Sequence, residues 1–275
     1  MNTTAAHPWL PRASCDIGCL DEVVQARRLP VRLRAALRIG LVLLLAPGLP
    51  LLGIPLPGSS HLQRAYCRLV LRSLGVRISV SGNPIRNLSG VLVVSSHVSW
   101  LDVFAIGAVL PGSFVARADM FSGPAIGVVA RILKIIPIER ASLRRLPAVV
   151  AAVAARLRAG QTVVAFPEGT TWCGAAFGSF YPAMFQAAID AGRPVQPLRL
   201  TYHHVDGRMS TDPAYVGCDP LLRSVYRVVC ARRTVARVRV ESLQLPGADR
   251  RALARRCQTA VRSGAPVNLD HALVA

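Results

Sequence analysis

Three features of the amino-acid sequence predict an α/β fold, a mixed and largely parallel sheet flanked by helices. From residue 75 onward, short apolar runs alternate with longer segments of helical periodicity. One run, Val91-Leu-Val-Val94, is apolar at every position, as in a strand covered on both faces. Finally, residues able to do chemistry, His97 and Glu168, fall just past the ends of such runs, where sheets of this kind present reactive groups.

The elements follow in order. Residues 1–26 hold prolines and small residues without periodicity and are expected to form a flexible or loosely docked tail. Residues 27–74 are expected to form a basic, apolar, helical membrane anchor. Arg27, Arg28, Arg32, Arg34 and Arg38 precede a charge-free run from Ile39 to Gly58, long enough to cross a bilayer as a helix. Four prolines (47, 50, 55 and 57) end that helix after Ala46. Arginines also follow at 64, 68, 72 and 77, so both flanks favour the cytoplasmic side. An interfacial or re-entrant anchor on the cytoplasmic face of the cell membrane is therefore expected in place of a crossing.

Residues 75–275 are expected to form one domain with a basic C-terminal extension. Strands are predicted at 76–80, 91–94, 114–116, 135–138, 162–166, 195–201 and 235–240. Helices are predicted at 100–109, 122–133, 143–159, 183–191, 220–230 and 248–262.

Charge narrows the partners. The chain has 33 basic and 14 acidic residues, a net charge of +19, and Lys134 is its single lysine. Such a field attracts anions. With 52% hydrophobic residues, a membrane surface fits this field better than nucleic acid, and aromatics at 5% leave no basic stripe of the kind that stacks bases. The seven cysteines are scattered without C-x-x-C spacing, so no metal site is expected, and without a signal peptide the thiols are expected to stay reduced. Cys15 and Cys19 fall in the tail and receive no role.

Two motifs carry chemistry. In His97-Val-Ser-Trp-Leu-Asp102, Ser99 suits the N-cap of a helix from Trp100, which puts Asp102 at its third position. That is an ordinary capping box. The same geometry lets Asp102 accept from one ring nitrogen of His97 and leave the other as a base. In Phe166-Pro-Glu-Gly-Thr170, proline stops a strand, glycine permits an unusual turn, and a carboxylate is left at the sheet edge.

These motifs resemble the first and third blocks of the glycerolipid acyltransferase family, best known for the 1-acylglycerol-3-phosphate acyltransferases. The stretch from Phe114-Val-Ala-Arg117 to Ile138-Glu-Arg140 is similar to the second block, and Pro194-Val-Gln-Pro197 to the fourth. The resemblance implies that His97 deprotonates an acceptor hydroxyl and that Asp102 orients it. It implies further that Arg117 and Arg140 bind phosphates, and that Glu168, Gly169 and Thr170 position the acceptor. The acyl group would come from acyl-CoA or acyl carrier protein as co-substrate, with no bound cofactor, and would pass to a lysolipid, 1-acylglycerol-3-phosphate first.

One departure matters. Phosphatidate-forming members commonly carry an arginine after the third block, whereas this chain has Thr171. The Thr-Thr form is similar to members that acylate other lysolipids, such as lyso-ornithine lipid. A nucleophilic role for Cys173 is not expected, because nothing near it in sequence signals a lowered pKa. The rival from another class is a non-catalytic binder of anionic membranes, which would not need His97, Asp102 and Glu168 together.

Overall fold

A computed structural model of the chain describes residues 10–20, 29–53, 59–82, 89–121, 124–139, 142–217 and 219–263. Among these, the strands are β1 (Val76–Gly82), β2 (Leu92–Ser95), β3 (Ser113–Arg117), β4 (Ile136–Ile138), β5 (Val163–Ala165), β6 (Val195–His204) and β7 (Thr234–Val240). They form one sheet in the order β1-β7-β6-β2-β5-β3-β4. Among the pairings of these described strands, only β6–β7 is antiparallel. The sheet is thus mixed and largely parallel.

The helices are α1 (Leu29–Leu45), α2 (Ser59–Ser73), α3 (Asp102–Gly107), α4 (Pro124–Ile132), α5 (Leu146–Arg158), α6 (Ala183–Ala191), α7 (Leu221–Cys230) and α8 (Arg250–Arg262). Strand β2 lies between β5 and β6, and its alternate side chains feed two cores. Val91 and Val93 join the core shared with α1, α2, α3 and α7. Leu92 and Val94 join the core shared with α5, α6 and α8. Burial on both faces is why this run has no polar alternation. Local chemistry sets several element ends. Asp249 caps α8 by accepting from the Arg251 amide at 2.7 Å. Gly192, left-handed at φ 59°, closes α6.

At the N-terminus, α1 stops at Leu45 and the chain continues as a 3-10 helix through Gly53, with Pro50 inside it. The combined span has mean hydropathy 2.0 over its most apolar window, and only 11% of that window is buried. Leu33, Leu37, Leu43 and Leu44 are each more than half exposed. This surface has the composition of a membrane-contact element. Arg38, expected to serve only as a cationic flank, is instead buried. Its guanidinium donates to the carbonyls of Val229 (3.0 Å), Ala231 (2.7 Å) and Arg232 (2.6 Å), where α7 ends. A cation there satisfies the last carbonyls of a helix and offsets its dipole. Replacing Arg38 with leucine should destabilise the fold by about 1.5–3 kcal/mol, the range for hydrogen bonds to charged groups, read as a lower urea midpoint at unchanged slope.

Part of the expected flexible tail is docked. Cys15 is 5% exposed and belongs to the larger core, and Pro11 packs over Gly169, whose φ is +70°. The sequence hides this because the segment is held by single contacts and has no repeating face.

Candidate active site

The C-terminal ends of β2, β5 and β3 lie at one edge of the sheet, since these strands run parallel side by side. His97 follows β2, Glu168 follows β5, and Arg117 ends β3. Topology therefore brings the first three motif blocks to one edge.

His97 Nδ1 and Asp102 Oδ2 are 2.8 Å apart. The same Oδ2 accepts from the backbone amides of Val98 (2.7 Å) and Ser99 (3.0 Å), and Oδ1 accepts from the Tyr202 hydroxyl (2.7 Å). An oxygen on which three donors converge accepts, so Nδ1 is the donor and Nε2 is the ring nitrogen left to act as a base. Asp102 is fully buried, whereas the His97 side chain is 18% exposed. The ring stacks on Phe166 at a centroid distance of 4.0 Å, which fixes its plane. The arrangement fixes the orientation of the imidazole and turns Nδ1 toward the carboxylate, which leaves Nε2 to serve as the base.

The helix start differs from the expected capping box. Trp100 and Leu101 form a turn, and α3 begins at Asp102. Ser99 Oγ accepts from the Leu101 amide at 3.2 Å, while the Asp102 carboxylate reaches back to Ser99. The extra donors on Asp102 draw the backbone of 98–99 around the carboxylate and shorten the regular helix.

Glu168 faces inward at 1% exposure. Its Oε2 accepts from the His97 amide at 3.0 Å and its Oε1 from the Gly178 amide at 3.2 Å. Burial pushes its carboxyl up to about 8, against the opposing pull of these amides and of Arg262. The His97 carbonyl accepts from the Trp172 amide at 2.8 Å, so the loop after β5 grips both ends of the His97 peptide unit. Thr171 Oγ1 donates to the Tyr215 carbonyl. Thr170 is half-buried beside Gly169. Arg117 is half-exposed and pairs with Asp119, which holds its guanidinium above the usual value. Arg140 lies outside the described residues.

Two features escaped the sequence reading. Tyr202 is one, though a tyrosine in an otherwise apolar strand signals a hydroxyl that needs a buried partner. Replacing it with phenylalanine leaves Asp102 Oδ1 without its donor. The variant should lose about 1–3 kcal/mol of stability by thermal melting. The other is the environment of Cys173, whose neighbour Cys15 lies far away in sequence. A hydrogen bond from Cys15 pulls it down most strongly, burial opposes this, and the backbone amides of Ala176 and Ala175 help. Cys15 is pushed up in return.

Comparison with known proteins agrees with this architecture. The Acyltransferase family profile matches residues 77–201. A 1-acyl-sn-glycerol-3-phosphate acyltransferase of Neisseria meningitidis is 36% identical over 62% of this chain and 67% of its own length. A lyso-ornithine lipid O-acyltransferase of Pseudomonas aeruginosa is 32% identical over 86% of this chain and 93% of its own length. The crystal structure of the acyltransferase PlsC from Thermotoga maritima shares the fold, with a TM-score of 0.56 over 88% of this chain and 95% of that one at 18% identity. With a relative this similar over nearly its whole length, and with the profile spanning the strands that carry His97, Arg117 and Glu168, the chain belongs to the glycerolipid acyltransferase family and is an acyltransferase.

Proposed function

We propose that this enzyme moves a fatty acyl group from an acyl thioester, acyl-CoA or acyl carrier protein, to the free hydroxyl of a lysolipid. The observation that carries the reading is the His97–Asp102 pair at 2.8 Å, which engages Nδ1 and leaves Nε2 to act as the base. Nε2 takes the acceptor's hydroxyl proton as its oxygen attacks the thioester carbonyl. The C–S bond then breaks, and His97 returns the proton to the departing thiolate. Asp102 stabilises the imidazolium between those steps, held in place by Val98, Ser99 and Tyr202. Glu168 acts on the acceptor through His97, by holding its amide, because both of its oxygens are engaged with backbone. Gly169 and Thr170 shape the turn beside it, and Arg117 and Arg140 supply charge for acceptor or donor phosphates.

The segment 27–74 places the site at the cytoplasmic face of the membrane, lying in the interface. Its support is the exposed leucine face of α1 together with arginines on either side of the apolar run. The tail at 1–26 and the domain at 75–275 complete the division.

The first acceptor is 1-acylglycerol-3-phosphate, giving phosphatidate, with Arg117 at the site edge as a phosphate partner. A second acceptor, lyso-ornithine lipid, is favoured by Thr171 in the position where a cation would meet that phosphate, and by the near-complete alignment with the P. aeruginosa enzyme. Purified protein in mixed micelles, given labelled acyl thioester and each acceptor in turn, tests the choice. Labelled phosphatidate is the expected product. Transfer to lyso-ornithine lipid alone would keep the chemistry and replace the acceptor, whereas no transfer to any acceptor would contradict the proposal.

A further inference from the structure

The fold brings together three thiols that the sequence separates widely. The sulfurs of Cys15, Cys19 and Cys173 all lie within 4.8 Å of one another. Cys15 and Cys173 are buried and Cys19 is half-buried, so the cluster has a dry interior and one approachable side. Cys19 ends a one-turn 3-10 helix, Ile17–Cys19, and Cys15 stands just before its start, which is capped by Asp16 through a 2.8 Å hydrogen bond from the Gly18 amide. Both sulfurs are thereby presented from a fixed turn.

The surroundings are those that thiolate ligands use. The backbone amide of Cys173 donates to Cys15 Sγ at 3.4 Å, and the nearby amides of Ala175 and Ala176 favour the anionic form of Cys173. Amides at the second and third positions after a cysteine, turned back onto its sulfur, stabilise the anion when a metal binds it. Gly174, at φ +91°, permits that turn. Three sulfurs around a metal at ~2.3 Å are spaced ~4 Å apart, so the cluster needs only small movements to close on an ion. Neutral thiols gain little from such an arrangement, whereas three thiolates without a cation would repel one another.

We propose that Cys15, Cys19 and Cys173 form a binding site for a soft d10 metal ion, monovalent copper or zinc, held by three thiolates. Soft sulfur ligands select these ions. Copper is satisfied by the three sulfurs, and zinc completes a tetrahedron with water from the Cys19 side. Each thiol gives up its proton on binding, so up to three protons pass to solvent. The ion ties the strap at residues 10–20 to the loop whose Trp172 amide holds the His97 carbonyl, and so it braces the catalytic turn from outside.

The test uses the full chain, reduced, stripped of metal and kept free of oxygen. Copper(I) and zinc(II) are titrated separately against chromophoric chelators, and X-ray absorption counts the sulfur neighbours. The expected result is one equivalent per chain, for at least one of the two ions, with three sulfur neighbours. The Cys19→Ser variant alters the half-buried ligand and so spares the core. It should weaken the affinity by at least about 100-fold, more than loss of an outer-shell partner costs. Failure of both ions to bind saturably would overturn the proposal. So would fewer than three sulfur neighbours, or unchanged affinity in Cys19→Ser. None of these readouts depends on acyl transfer, so the site can fail while the proposed reaction stands.

Discussion

Replacing His97 with alanine is expected to lower the turnover of acyl transfer by about 10²–10⁴-fold, the usual contribution of a positioned base. The same factor corresponds to about 3–5.5 kcal/mol at the transition state. The fold should survive. Asp102 would lose one donor but keep the amides of Val98 and Ser99 and the Tyr202 hydroxyl, so its buried charge stays satisfied. The stability loss is expected to be no more than about 1 kcal/mol, near that of one ordinary hydrogen bond. Asp102→Asn should behave differently. An amide NH2 cannot accept from the donors that converge on Oδ2, and the tautomer of His97 would no longer be fixed. That variant should lose both turnover and melting temperature. Steady-state kinetics beside thermal melting separates the two patterns. A His97→Ala variant with near-normal turnover would remove the general-base role.

Glu168 should show the largest effect on stability. In Glu168→Ala the part-buried amide of His97 and the buried amide of Gly178 both lose their acceptor. At about 1–3 kcal/mol for each unsatisfied group, the cost is about 2–6 kcal/mol. Glu168→Gln makes a sharper test, through pH. Burial raises the folded carboxyl to about 8, from an ordinary 4.5. Between those values the folded protein holds a proton that the unfolded chain has released. The proton's contribution to stability is complete below the unfolded value, declines as pH rises, and is lost above the folded one. Glutamine cannot titrate, so the stability of the variant relative to wild type should improve steadily across this window. Paired melting curves at several pH values read the difference. A difference that stays constant with pH would show that the carboxylate is charged throughout.

Much of the fold was legible because its signals are local. The continuous apolar run at 91–94 overlaps strand β2 (Leu92–Ser95) in all but its first residue and is buried on both faces, and the segment predicted at 183–191 is α6 to the residue. The α-helix expected to end after Ala46 ends one residue earlier, at Leu45, from proline chemistry that needs no tertiary context. The closeness of His97 to Asp102 is local too, since a helix start folds the carboxylate back over the residues just before it. What stayed hidden depends on contacts between distant segments. Tyr202 meets Asp102 only because β6 lies beside β2. Arg38 looked like a membrane-flanking cation, and its partners at the end of α7 are far along the chain. Cys15 and Cys173 come together only when the strap docks, and no spacing rule joins them. The inward turn of Glu168 was equally hidden, because a glutamate in a loop motif reads the same whether it faces solvent or backbone.

The central claim is direct transfer: His97 activates the acceptor, and no acyl-enzyme forms. The depressed Cys173 thiol, two residues from Thr171, makes this worth testing at the level of single turnover. Purified enzyme would be mixed with a labelled acyl thioester in the absence of acceptor, then followed for thiol release and by intact mass. The account predicts no stoichiometric thiol burst and no acyl adduct, with thiol release beginning only when lysolipid is added. A burst of one thiol per chain, with the acyl group recovered on Cys173, would contradict it.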